Sequence, residues 1–181
     1  MSRTWLSITV ELVEGRDRTF WPRPGRVFGA ARAHTFAELA DAIDGAFARW
    51  DRAHLREFRL ADNRRIGRPD PDAAEASAAL DERTTKLSLL AARDRFLYVF
   101  DFGDGWHHLC TVAEHRIDPH ETLGTMPDSP MPYFGWGELP DQYGRRFADD
   151  DLESVVPPNP RRRDLPPFFP WWGPGADRYP E

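Results

Sequence analysis

Between positions 5 and 13 the apolar residues Leu6, Ile8, Val10 and Leu12 alternate with Ser7, Thr9 and Glu11. A period of two marks a strand with one face buried. Positions 26–31, beyond the breakers Pro22 and Pro24, predict a second strand. From Phe36 the period changes: Phe36, Leu39, Ala40, Ile43, Phe47 and Trp50 recur at three and four, which places them on one face of a helix. Thr35 followed three residues later by Glu38 is the capping box that starts it.

Leu55, Phe58 and Leu60 predict a strand ahead of the turn at Asp62 and Asn63. Positions 69–79 read as a mobile loop, and 80–90 as a short strand or helical turn. Two aromatic and apolar runs, 96–102 and 106–115, then flank Gly103, Asp104 and Gly105, the strongest hairpin signal in the chain. Regular structure is expected to end near Ile117, because only Pro22, Pro24, Pro69 and Pro71 of the 17 prolines precede Pro119. The expected fold is α+β: a mixed or antiparallel sheet with a C-terminal β-hairpin, covered on one face by one main amphipathic helix. Residues 1–156 form the expected domain, and 157–181 an extended tail rich in proline and aromatic residues that docks on the body or on a partner.

At 181 residues the chain is long enough to bury a core without staples. Cys110 is the single cysteine, which excludes an internal disulfide, and no apolar run approaches the roughly 18 residues of a membrane span. With no apolar leader at the N-terminus, a cytoplasmic protein without membrane partners is expected. The net charge of -6 argues against nucleic acid held by bulk electrostatics. The Arg161, Arg162, Arg163 run is the one concentrated basic patch, and it keeps nucleic-acid binding as a third reading.

Candidate chemistry gathers at the predicted hairpin. A two-residue turn at Asp104 and Gly105 sets Asp101 opposite His108; a three-residue loop sets Asp101 opposite His107. Either register faces a carboxylate with an imidazole, which serves as an oriented general base, as part of a divalent metal site using Asp101 and His108, or as an ion pair that fixes register. Asp104 and His54 complete the catalytic candidates, His54 lying between the helix and the next strand, where loops carry function. No HExxH, CxxC, EF-hand or P-loop pattern occurs. Tyr133, Trp136 and Tyr143, with Trp106, are candidates for an aromatic ligand wall against the hairpin.

The run Tyr98-Val99-Phe100-Asp101-Phe102-Gly103-Asp104-Gly105-Trp106-His107-His108 resembles the plasmid pRiA4b ORF-3-like family. So do His54 to Phe58, Leu80-Asp81-Glu82 and Lys86-Leu87-Ser88. Members are also labelled insertion-element passenger TnpR-like proteins. The likeness spans about 5–114, with His108 on the family's histidine and His107 at a commonly acidic position. It implies a compact α+β domain of bacterial, plasmid and mobile-element settings, with no settled activity. Beyond the hairpin the chain departs: the family's Cys-Pro-Pro-Glu-Asp stretch is replaced by Pro132 to Gly137. A serine-recombinase role is not supported, since Ser7 lacks an arginine-rich setting and the tail cannot be helical.

These residues lead to a noncatalytic binding or interaction module for a protein or small-molecule ligand, with a homodimer allowed. The alternative is a metal-dependent or acid-base hydrolase using Asp101, Asp104, His108 and His54, which requires those groups to converge.

Overall fold

The computed structural model describes residues 5–72, 79–155, 165, 168 and 170. Thr35 caps the main helix α1 (Phe36–Ala46): its hydroxyl accepts the Glu38 amide at 3.2 Å while the Glu38 carboxylate accepts the Thr35 amide at 2.6 Å. The capping box read from the sequence is therefore formed. α1 buries Phe36, Leu39, Ala40 and Ile43, and with them Asp44. It stops one turn earlier than its periodicity predicts. Ala48 takes the left-handed conformation (φ 57°), costly for a side chain with a Cβ, and Arg49 donates its amide back to the Asp44 carbonyl. Trp50 thereby leaves the buried face and ends half exposed.

Among the described residues, nine strands form one sheet: β1 (Trp5–Gly15), β2 (Arg18–Thr19), β3 (Gly25–Ala31), β4 (Arg56–Arg59), β5 (Arg65–Gly67), β6 (Leu80–Asp81), β7 (Arg95–Phe100), β8 (Trp106–Val112) and β9 (Met131–Trp136). Their order is β6-β5-β4-β7-β8-β1-β3-β9, with β2 on β1. The sheet is mixed, because β5 and β6 run parallel and the other pairs antiparallel. Helix α2 (Pro119–Leu123) starts on the Asp118 side chain. This is a mostly-sheet α+β protein with one main helix, as expected, but structure does not stop at Ile117. The stretch 131–136, read as irregular, pairs with β3 as an edge strand, where Pro132 needs no ladder amide.

The two faces of the sheet differ. Ile8, Val10 and Leu12 of β1, Tyr98 of β7 and Trp106, His108 and Cys110 of β8 point to the side covered by α1 and are fully or almost fully buried. Each large apolar side chain removed from water there contributes about 1.5–3 kcal/mol. Thr9, Glu11, His107 and Leu109 alternate onto the other, half-buried face. Gly15 has to be glycine: a Cβ there would sit 2.2 Å from the Trp106 indole.

Most of the expected 157–181 tail lies outside the described residues, as do the Arg161 to Arg163 run and 73–78 of the expected loop. Phe168 forms an antiparallel bridge with Leu139 and packs against the core. Among the described residues, no helix is long and apolar enough to cross a membrane.

Candidate functional site

The hairpin closes differently from both registers expected of it. Phe100 pairs with Trp106, so residues 101–105 form a five-residue loop and Asp101 faces neither His107 nor His108 across the ladder. The physical cause is Asp101 itself. It adopts a left-handed conformation (φ 57°), tolerated by Asp, and its Oδ1 accepts the amides of Gly103 (3.0 Å) and Asp104 (3.3 Å). The loop is thereby three residues longer than the two-residue turn that the Asp-Gly signal suggests, and two longer than the three-residue alternative.

This loop aims the other carboxylate oxygen of Asp101 at the segment following α1. Asp101 Oδ2 lies 3.3 Å from His54 Nδ1, and His54 Nε2 lies 2.7 Å from the Tyr143 hydroxyl. Tyr143 donates in turn to Asp51 Oδ2 at 2.6 Å. Asp51, His54, Asp101 and Tyr143 thus form one chain of contacts. The tyrosine hydroxyl holds the Asp51 carboxyl below the usual carboxylate range, and the same bond pushes the Tyr143 hydroxyl up to about 12. The segment carrying Tyr143 is clamped beside it: the buried Gln142 accepts the Asp51 amide at 3.0 Å and donates to its carbonyl at 2.8 Å. Arg145 stacks over Trp50 at 4.3 Å while bonding Asp141.

The remaining site residues of the sequence reading go elsewhere. Asp104 turns away to Arg16, pairing at 3.1 Å and tying the β1–β2 turn to the hairpin loop. His108 is fully buried beneath α1, its ring 4.8 Å from that of Phe47. No hydrogen bond or ring contact links it to His54 or Asp101 among the described residues. Trp106 is a core residue, packed on Gly15 and on Phe20. Tyr133 bonds Ser7 at 2.7 Å and the Trp136 indole bonds the Arg23 carbonyl at 2.8 Å, both at the β9 edge, three strands from β8. The aromatic wall is therefore divided, with Tyr143 alone reaching His54 and linked to the hairpin loop only through it. Cys110 is buried, which pushes its thiol far above its ordinary value. Among the described residues, no group of three His, Cys, Asp or Glu is placed to hold a metal ion.

A second polar group, under the helix, was not foreseen. Tyr98 donates to Asp44 Oδ1 at 2.6 Å, and Arg56 reaches Asp44 Oδ2 at 3.1 Å while also pairing with Asp41 and Glu82. Burial raises the Asp44 carboxyl above its ordinary value despite those partners. Beside it Arg49 lies with its guanidinium carbon 3.9 Å from the centre of the Trp106 ring. Asp44 was legible as a polar residue inside the apolar stripe of α1; Arg49 gave no signal.

Fold and site together define a mixed-sheet α+β protein with a polar cluster at the hairpin end of its sheet. The chain belongs to the plasmid pRiA4b ORF-3-like family, whose model matches residues 7–129 and so includes His54 and Asp101 but stops short of β9 and Tyr143. It is 40% identical over 108 residues to the uncharacterized protein y4hQ of Sinorhizobium fredii (strain NBRC 101917 / NGR234), a match covering 58% of this chain and 50% of that protein. The chain spans about half the length of that relative. Its fold is similar to the crystal structure of a protein of unknown function, MM3350 from Methanosarcina mazei Go1, with a TM-score of 0.57 at 20% identity over 79% of this chain and 77% of that one.

Proposed function

We propose that this protein is a noncatalytic binding or interaction module whose binding face is the hairpin end around His54. Its setting in a mobile-element or accessory-gene system rests on the plasmid name of its family. The observation that carries the reading is that the polar groups there are spent on one another. Asp101 serves two loop amides and His54, His54 meets Tyr143, and Tyr143 donates to Asp51. A hydrolase needs a nucleophile or water-activating base left free for substrate. Around this locked centre Trp50, Leu55 and Phe102 are half exposed, the kind of apolar anchor on which binding energy concentrates. A groove of about 390 Å³ opens between Phe102, Leu55 and the arginines Arg65 and Arg68. Arg56, Glu57 and Asp70 line it too, and Arg65 pairs with Glu57, so it is suited to a protein segment or small molecule that combines apolar and polar groups.

One observation favours a second reading, acid-base hydrolysis: the Asp101–His54 contact has the form by which a carboxylate orients a catalytic imidazole. A single set of measurements separates the two. The full chain is incubated with p-nitrophenyl acetate and p-nitrophenyl phosphate, with and without Mg²⁺, Mn²⁺ or Zn²⁺, and screened by amide-detected NMR against small aromatic carboxylates. The binding reading expects no turnover above buffer. It also expects fragment-induced shifts at Leu55, Phe102 and Gly103 that vanish in a Trp50→Ala, Phe102→Ala variant. Turnover abolished by His54→Ala overturns it in favour of the hydrolase.

A further inference from the structure

Buried polar atoms in folded proteins are paired almost without exception, because leaving one unpaired forfeits the hydrogen bonds it made to water. Three side chains under α1 break this rule together. Arg49 is 2% exposed, yet none of its three guanidinium nitrogens has a hydrogen-bond partner among the described residues. Trp106 Nε1 and His108 Nε2 are buried and equally without one. The groups are neighbours: Arg49 stacks on the Trp106 ring, and Trp106 and His108 stand two apart on the same face of β8. Nearby carboxylates are engaged elsewhere, Asp44 with Tyr98 and Arg56, and Asp141 with Arg145.

The polarity of each of these atoms follows from its chemistry. Guanidinium and indole nitrogens only donate. The Nδ1 of His108 lies 3.2 Å from the Tyr98 carbonyl, which only accepts, so Nδ1 holds the hydrogen and Nε2 presents a lone pair. The cluster thus combines a positive charge, several donors and one acceptor. Water matches the donors and the acceptor but brings no negative charge, leaving the buried guanidinium to be balanced only by the Asp44 and Asp141 carboxylates, neither of which hydrogen-bonds it. A fully deprotonated oxyanion such as sulfate neutralises the charge but turns an oxygen lone pair toward that of His108. An oxyanion that keeps a hydroxyl satisfies all three.

We propose that Arg49, Trp106 and His108 form a binding site for a small hydroxylated oxyanion, hydrogen phosphate or bicarbonate. Its charged oxygens lie on Arg49 and the Trp106 indole, and its hydroxyl donates to His108 Nε2. This site is distinct from the His54 face and stands or falls independently of it.

The test is titration of the desalted full chain with sodium phosphate, bicarbonate and sulfate at constant ionic strength and slightly alkaline pH, followed by calorimetry and thermal melting. Phosphate or bicarbonate is expected to bind saturably and raise the melting temperature, the one that binds more tightly identifying the physiological class. Sulfate is expected to bind about tenfold more weakly or worse, the equivalent of one lost hydrogen bond. Arg49→Met, which keeps the volume and removes the charge, abolishes the response while still melting cooperatively. His108→Gln, whose amide can donate, narrows the gap between phosphate and sulfate. No saturable response in the wild type, equal binding of sulfate, or an undiminished response in Arg49→Met overturns the proposal. Should Arg49→Met fail to fold, the wild-type comparison of the three anions decides alone.

Discussion

The two polar clusters of this protein both draw on residues 44–54 and on the β7–β8 hairpin, yet they settle their polar groups in opposite ways. Around His54, partly exposed, Asp51, His54, Asp101 and Tyr143 are each matched to another of the group or to a loop amide. Beneath α1, out of water, Asp44 and Tyr98 are matched while Arg49, Trp106 and His108 carry unpaired atoms. The contrast runs against expectation from energy alone, because a missing partner costs least where water can replace it. A pairing network at the surface holds a shape. A buried set of unmatched atoms of defined polarity, by contrast, specifies what would complete it.

The comparison breaks most visibly at Asp44. Replacing it with alanine removes the partner of both Tyr98 and Arg56 inside the core, and a loss of about 3–5 kcal/mol is expected in urea unfolding. Adding a methyl at Gly15 tests the packing of the same region from its other side. Gly15→Ala drives a Cβ into the Trp106 indole, with an expected cost of about 1–3 kcal/mol by the same titration. Arg49→Met sharpens the contrast by reversing the sign. In buffer free of oxyanions, removing an unmatched buried charge raises stability, by about 1–4 kcal/mol, whereas the equivalent change at the matched Arg56 lowers it.

The fourth prediction is a pH dependence. Burial, with the Arg49 charge beside it, pulls the His108 imidazole well below its ordinary value of 6.5. Below pH 6.5 the unfolded chain therefore takes up a proton at this residue that the folded chain refuses, and stability falls as pH drops through that window. Above it the contribution is constant. Unfolding midpoints measured from pH 7.5 to pH 5 should show a steeper decline for the wild type than for His108→Gln. The smallest effect belongs to the exposed cluster. Tyr143→Phe removes the hydroxyl between His54 and Asp51 where solvent can take its place, and the unfolding midpoint should stay within experimental scatter while the NMR signals of His54 and Asp51 move.

Local signals were followed closely where neighbours in sequence are also neighbours in space. The Thr35–Glu38 box, the alternation of β1 and the turn beside Asp62 each depend on contacts a few residues apart, and each is formed. Errors arose where a distant group intervened. α1 ends early as Arg49 turns in over Trp106, and the Asp-Gly signal is overruled by Asp101 gathering the loop amides. The strand at 131–136 exists through its pairing with β3, about a hundred residues earlier, which no local pattern announces.

The sequence by itself determined that this is an α+β protein with one capped amphipathic helix, a hairpin at its Asp-Gly turn and Asp101 and His54 among its polar residues of interest. Those features follow from periodicity, capping and turn chemistry, which act over short range. Only the tertiary structure decided that Asp101 meets His54 and not His108, that Asp104 goes to Arg16, and that His108 joins Arg49 and Trp106 out of water. Side-chain direction on a strand reverses at each residue, so a loop two or three residues longer than the turn signal suggests removes Asp101 from the ladder. The partners of a polar atom are then set by which face it is given and by what long-range pairing brings to that face.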